Sequence, residues 1–236
     1  MIIHLPKNMS CTQVQELANN IGALCLEQAE QFVLITNHMT KQLPTDLKDI
    51  ALQHWIFDSD MQLSSRQYSA ETHRITLGDT YIGGDQKNQL MIAGPCAVES
   101  REQIEQSCQM LQKQGIRVLR AGCYKPRTSP YTFRGLGEDG LKLLAEMRDK
   151  YGVLIATEMR DATHADKVIE YADIVQIGAK SMYDHGLLAA AGKSGKPVIL
   201  KRGFGTTLQE FVNCADFIMS CGNDQVILCE RGIRSF

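Results

Sequence analysis

Arg120, Lys125 and Arg127 lie close together in this chain, and Thr128 and Ser129 follow at once. Three cations and two aliphatic hydroxyls just past an apolar run are suited to a phosphate dianion. Arginine supplies a planar fork of donors and lysine a point charge. Pro126 and Pro130 end any regular structure and stiffen the turn between them. A solvated basic loop would have the same composition, since surface Arg and Lys are common. This stretch alone leaves both readings open.

Reactive residues recur with a rhythm. Apolar strand-like runs fall at 90–93, 117–121, 153–157, 173–177, 197–201 and 225–229. At or just past their ends stand Cys96, Arg120 with Lys125, Glu158, Lys180, Lys201 with Arg202, and Glu230 with Arg231. Lys201 and Arg202 alternate in direction, so only one of them faces inward. Amphipathic helical stretches at 100–114, 138–150, 162–171, 184–193 and 206–220 separate most of the runs. Such repeats predict a parallel sheet with buried strands. A doubly wound sheet and a (β/α)8 TIM-type barrel both fit. A barrel gathers all strand ends into one mouth, whereas an open sheet uses mainly its switch point. Contributions from all six ends favour the barrel. Only six strands can be counted, and about 150 residues follow position 85. A full barrel takes ~250 residues. The pattern therefore predicts a barrel truncated after six strands, assigned to residues 69–236.

Residues 1–68 read as a separate small α+β unit. Ile2–Leu5, Ala23–Leu26 and Gln31–Thr36 are strand-like, and Trp55–Phe57 reads as a last strand. A helix capped by Ser10 or Thr12 carries Val14, Leu17, Ala18 and Ile21 on one face, with Gly22 as its stop. A second helix is expected from Pro44 to about His54. The order is βαββαβ, a ferredoxin-like motif. The polar segment 58–70 reads as a linker, and 73–82, centred on Gly78-Asp79, as a hairpin.

Composition narrows the function classes. The chain has 236 residues, 44% apolar content and a formal charge of -2, which describes an ordinary soluble protein with ample core. Near-neutral charge gives no reason to expect nucleic acid or an anionic membrane as partner. No apolar run approaches the ~20 residues that span a bilayer. The start lacks the features of a signal peptide. Eight cysteines are scattered without a CxxC pair, which predicts free thiols in a reducing cytoplasm.

Two motifs, Gly94-Pro95-Cys96-Ala97-Val98-Glu99-Ser100 and Lys125-Pro126-Arg127-Thr128-Ser129-Pro130, resemble those of a known enzyme family. So do Phe133–Gly137, Gln176–Ala179, Leu200–Gly203 and Leu228–Arg234. The chain resembles 3-deoxy-D-arabino-heptulosonate 7-phosphate (DAHP) synthase, of the type related to 3-deoxy-D-manno-octulosonate 8-phosphate (KDO8P) synthase, over roughly residues 70–236. The front part resembles, more weakly, the ferredoxin-like regulatory domain that some of these synthases carry.

The resemblance implies a (β/α)8 barrel that condenses phosphoenolpyruvate with erythrose 4-phosphate, the first step of the shikimate pathway to aromatic amino acids. It implies a divalent metal such as Mn, Fe or Zn. It matches Arg120, Lys125, Lys180, Lys201 and Arg231 to the cations around phosphoenolpyruvate, and Glu158 to an acid in the same pocket. Pro126, Arg127 and Thr128 match the part of the loop that takes the aldose phosphate. Cys96 matches a metal ligand. Lys125 could also protonate the developing alkoxide. An aromatic amino acid effector and a homo-oligomer are further expectations.

Two departures stand out. Position 180 is Lys where the family usually has Arg, which keeps the charge but loses the bidentate fork. The family's other metal ligands, a His, a Glu and an Asp, have no match before Phe236, so Cys96 is the one expected ligand in this chain. Slow turnover or none is then expected. Two rivals remain: a KDO8P synthase using arabinose 5-phosphate, and a non-catalytic fragment that only binds ligand. Lys125-Pro126-Arg127-Thr128 speaks against the first, which usually has Asn-Arg at the aldose end. Cys123 could serve as a second ligand but reads better as a packing thiol. His164 and His185 read as cap or surface residues near helix starts.

Overall fold

The structure is a computed structural model that describes residues 1–127 and 129–231. Its front unit begins with β1 (Ile2–Pro6), α1 (Cys11–Asn20), β2 (Leu24–Glu27) and β3 (Gln31–Ile35), and ends with β4 (Gln53–Trp55). These strands form one antiparallel sheet in the order β2-β3-β1-β4. Ser10 caps α1 by accepting from the Gln13 N–H, while the Gln13 side chain returns a bond to the Ser10 N–H. The apolar face of α1, with Val14 and Ala18, closes over Ile3, Leu5, Phe32 and Leu34.

The second helix expected from Pro44 to His54 does not form. Only a 3-10 turn, Thr45–Leu47, is present. Leu47 is buried and anchors the turn, and the Leu52 N–H is drawn to the His4 carbonyl at 2.9 Å. Pairing with β1 then starts at Gln53, two residues before the expected strand at Trp55. Too few residues are left between these anchors for a helix of several turns.

A hairpin of β5 (Arg74–Leu77) and β6 (Thr80–Gly83) turns at Gly78-Asp79 and leads into the main sheet. That sheet is built from β7 (Ile92–Ala93), α2 (Arg101–Lys113), β8 (Val118–Arg120), α3 (Glu138–Tyr151), β9 (Leu154–Met159), α4 (Ala165–Tyr171), β10 (Ile174–Ile177), α5 (His185–Lys193), β11 (Val198–Lys201), α6 (Leu208–Ser220) and β12 (Val226–Cys229). All six strands are parallel and pair in sequence order. The sheet curls as part of a (β/α)8 barrel.

Strand alternation sorts the side chains. Leu119, Ile155, Val175, Ile177 and Leu200 face the helices and pack with Leu111, Leu144, Leu188 and Ile218. Val118, Ala156, Ile174 and Ile199 face the concave side, where Ile75 and Leu77 of the hairpin cover them. Burying one such aliphatic side chain is worth about 1.5–3 kcal/mol. The hairpin thus plugs the floor of the sheet. The next residues along on the concave side are Arg120, Glu158, Gln176 and Lys201.

The segment 58–70, read as a linker, is packed down. Gln62 and Leu63 are buried, and the Ser64 N–H donates to Asp216 Oδ1 of α6 at 2.7 Å. Burial pushes the Asp216 carboxyl above its usual range, opposed by that bond. The folded chain therefore holds the Asp216 proton more tightly than the unfolded chain does. This contribution is present below the ordinary carboxylate pKa and is lost as pH rises through the raised value.

Asp216→Asn keeps an acceptor and removes the buried charge. Its unfolding free energy should equal or exceed that of the parent at pH 7, with an advantage that grows as pH rises from the ordinary carboxylate pKa through the raised value. Asp216→Ala should lose about 1–3 kcal/mol by orphaning the Ser64 N–H. Urea unfolding of both variants across that pH range is the check; an Asn variant as weak as the Ala variant would contradict this account.

Candidate active site

Glu158, only 7% exposed on β9, stands at the centre of the concave row. Gln176 on β10 pairs with it in register and donates from Nε2 to Glu158 Oε2. Arg120 Nη2 lies 3.7 Å and Lys201 Nζ 3.8 Å from the same oxygen. Arg120 Nε donates to Gln176 Oε1 at 3.4 Å, which closes a ring of contacts across three adjacent strands. Gly178 makes room for this carboxylate: a Cβ there would stand 2.6 Å from Glu158 Oε1.

The loop after β7 comes close against β8. Gly94 has φ 142°, and a Cβ at that position would lie 2.3 Å from the Arg120 carbonyl. Past it, Ala97 bridges to Gly122, and the Val98 N–H donates to the Gly122 carbonyl at 3.0 Å. The Cys96 carbonyl is thereby aimed inward and accepts from Lys125 Nζ at 2.8 Å and Arg120 Nη1 at 3.3 Å. Lys125 is 7% exposed, so an ammonium group is held at the mouth of the sheet.

The loop carrying Lys125 closes on itself. The Lys125 N–H donates to the Arg134 carbonyl at 2.8 Å, and the Gly137 N–H to the Cys123 carbonyl at 3.0 Å. Pro126 lines a hollow of about 270 Å³ together with Glu158, Lys180, Lys201, Phe204 and Arg231. The Arg231 guanidinium sits 4.3 Å from the Phe204 ring centroid. A neighbouring hollow of about 520 Å³ is bounded by Arg120, Gln176 and Lys201 and meets the first at Lys201 and Cys229.

Seven of the ten site residues expected from sequence therefore share one region: Arg120, Lys125, Pro126, Glu158, Lys180, Lys201 and Arg231. Cys96 stands beside them with an exposed side chain. Arg127 is exposed on the loop, and Thr128 lies outside the described residues. Lys201 is the member of its pair that faces in; Arg202 instead binds Glu230 at 2.7 Å and the Thr206 carbonyl. From sequence, Gln176 enters only as part of the motif Gln176–Ala179 and is given no role, although a lone amide inside the apolar run Ile174-Val175-Gln176-Ile177 is a signal of a buried polar partner.

Electrostatics follow the geometry. Burial pulls the Lys201 ammonium below its usual range, with Arg120 adding and Glu158 opposing. Lys125 beside Cys96 holds that thiol below its ordinary value; burial opposes, and Arg120 and Arg127 add. The Cys123 thiol is pushed up to about 12 by burial and packs against Gly140. Arg120, Lys125 and Lys201 against the single carboxylate of Glu158 leave a surplus of positive charge, suited to a multiply charged phosphorylated acid.

A divalent cation fits these residues poorly. Among the described residues no three His, Cys, Asp or Glu side chains come together to hold one. The charged groups acting on Cys96 are Lys125, Arg120 and Arg127, all cations. A separate hollow of about 750 Å³ lies elsewhere, between the front sheet and the end of α6, where His4, Trp55, Tyr68 and Met219 line it. It has no Lys or Arg in its lining and no part in the cation cluster.

Residues 60–236 match the sequence profile of the DAHP synthetase I family. The chain is 50% identical over 175 residues to a phospho-2-dehydro-3-deoxyheptonate aldolase of Thermotoga maritima, covering 74% of this chain and 51% of that protein. A 2-dehydro-3-deoxyphosphooctonate aldolase of Fusobacterium nucleatum is 31% identical over 169 residues, covering 69% of this chain and 60% of that one. The crystal structure of a Thermotoga maritima phospho-2-dehydro-3-deoxyheptonate aldolase (DAHP synthase) superposes with a TM-score of 0.73 at 40% identity, over 100% of this chain and 71% of that chain. The chain spans about half to three fifths of the length of these curated relatives. No helix among the described residues is long and apolar enough to cross a membrane.

The Cys96 thiol offers a direct test of the cluster. Its alkylation by iodoacetamide, followed by peptide mass spectrometry, should rise with pH earlier than that of an ordinary thiol. Lys125→Met should move the profile to higher pH. An unchanged profile would mean that Lys125 does not act on this thiol.

Proposed function

The chain belongs to the DAHP synthetase I family, and on that footing we propose that its cation cluster holds phosphoenolpyruvate for condensation with erythrose 4-phosphate. The observation that carries the reading is the convergence of Arg120, Lys125 and Lys201 around Glu158, next to a hollow that Lys180 and Arg231 also line. Phosphoenolpyruvate presents a phosphate and a carboxylate on a small frame. Fixed cations in a partly water-excluded mouth neutralise both without reorganising during the reaction. Glu158 keeps Arg120 and Lys201 apart and oriented. C3 of phosphoenolpyruvate attacks the aldehyde carbon, water adds at C2, and phosphate leaves. Lys125 supplies the proton to the alkoxide formed from the aldehyde. Arg127, farther out on the loop, takes the aldose phosphate, together with Thr128.

Under the same proposal, residues 1–68 are a ferredoxin-like regulatory domain for an aromatic amino acid, and 69–236 carry the synthase part. The strand order β2-β3-β1-β4 and the packing of 58–70 on α6 support a unit able to bias the main sheet. A cytoplasmic homo-oligomer feeding the shikimate pathway completes the reading.

Calorimetry with phosphoenolpyruvate tests it. Arg120→Met should weaken binding about tenfold to a hundredfold, the range for a lost charge-assisted hydrogen bond. Lys201 binds the anion only when protonated, and its pKa lies below the ordinary value. Affinity should therefore fall as pH rises through that lowered value, where a solvated lysine would still be charged. Erythrose 4-phosphate should bind the loaded chain more tightly than arabinose 5-phosphate; the reverse order would favour a KDO8P synthase. Absence of phosphoenolpyruvate binding would overturn the proposal.

A further inference from the structure

His164, just before α4, is read from sequence as a cap or surface residue, and it makes no side-chain cap bond there. Its ring is stacked on Tyr124 instead, with centroids 4.0 Å apart and planes 11° from parallel. Its Nε2 lies 2.9 Å from Arg160 Nη2. A guanidinium has only donors, so Nε2 accepts and the ring proton is assigned to Nδ1. Arg160 is fixed in turn: its Nε lies 2.6 Å from Asp161 Oδ2, and its carbonyl accepts from Ser181 Oγ at 3.0 Å. Ser181 follows Lys180, so the turns after β9 and β10 are tied together at this point.

Tyr124 immediately precedes Lys125. The edge of its ring also lies against Gly137, where a Cβ would stand 3.5 Å from Tyr124 Cε1. The loop's own bonds, Lys125 to Arg134 and Gly137 to Cys123, close it but do not orient it against the turn after β9. The Tyr124–His164 stack does. The geometry points to His164 as a positioning residue: stacked on Tyr124 and braced by Arg160, it holds Tyr124 and the following residues 125–127 in place and so sets affinity for the second, phosphorylated aldehyde ligand.

This inference rests on the two-ligand reading proposed above. It divides the site physically. Arg120 and Lys201 sit on strands and are held by Glu158 whatever the loop does, and the Lys125 ammonium is held separately by the Cys96 carbonyl at 2.8 Å, so the first ligand keeps most of its contacts if the latch is lost. Arg127 is exposed, and only the loop determines its position.

The test uses the full chain and two variants. His164→Ala removes both contacts; His164→Phe keeps the stack and loses the acceptor. Three quantities are read beside the melting temperature: tryptic cleavage after Arg127 and Arg134, affinity for phosphoenolpyruvate, and affinity for erythrose 4-phosphate with phosphoenolpyruvate present. An aromatic pair contributes enough that His164→Ala should speed loop cleavage and weaken erythrose 4-phosphate about threefold to tenfold. Phosphoenolpyruvate affinity should stay within about twofold by the same division of contacts. His164→Phe should return loop protection and the second affinity most of the way.

Unchanged cleavage and unchanged erythrose 4-phosphate affinity in His164→Ala would overturn the inference. So would a His164→Phe variant that melts like the parent but behaves like His164→Ala. If His164→Ala does not fold, His164→Gln, which keeps an acceptor without a ring, takes its place. A parent chain that binds neither ligand would defeat the functional reading alone, and the cleavage comparison would still decide whether the latch exists.

Discussion

Glu158 is buried, and its Oε2 is shared by the Gln176 amide, the Arg120 guanidinium and the Lys201 ammonium. The two ion pairs, at 3.7 and 3.8 Å, are long and partly solvated, so their net contribution to stability is small. Their value is positional. Without the carboxylate, the two cations, which reach in from β8 and β11 on either side of it, would repel each other and swing outward. With it, each keeps one direction and retains donors for a ligand. Two further Arg120 donors go to Gln176 and the Cys96 carbonyl, and that same carbonyl holds Lys125. One buried acid and one inward-facing carbonyl thus order three cations.

That arrangement requires a rigid base. The concave side of the sheet is apolar below the cluster and polar at its level, because each strand shows every second residue to the same side. Val118 and Arg120, Ala156 and Glu158, Ile174 and Gln176, and Ile199 and Lys201 are such pairs. Parallel register sets two of these pairs side by side, with Gln176 opposite Glu158 and Ile174 opposite Ala156. The hairpin residues Ile75 and Leu77 seal the apolar level from beneath. The polar level is left facing the mouth, where water and ligands reach it. A slip of one residue in any strand would exchange the two sides and bury a charge among the helices.

The front sheet is joined to this base by more than chain connection. Its exit segment buries Gln62 and Leu63 and places the Ser64 N–H on Asp216 of α6. Gln62 also accepts from the Met1 amine at 2.7 Å and donates to the Thr36 carbonyl, so the segment and the edge of the sheet form one hydrogen-bonded unit. The helix it holds, α6, is followed by β12, which leads directly to Arg231.

Much of this architecture is legible in the amino-acid order. Continuous apolar runs of strand length, separated by amphipathic stretches, are explained only by parallel strands covered by helices, and all six appear near their expected positions. The short front strands, the Ser10 cap and the Gly78-Asp79 turn are local chemistry and equally readable. The expected helix after Pro44 is not, because a long-range bond from Leu52 to His4 takes the residues it would need. At the site, residue type and position at strand ends mark Arg120, Lys125, Glu158 and Lys201 as candidates. Sequence cannot say that Gln176 joins them, that Cys96 contributes its carbonyl to the cations, or that His164 grips Tyr124. Those contacts link positions 18 to 40 residues apart. Periodicity reports which side of an element a residue occupies; only the packed sheet decides which sides meet.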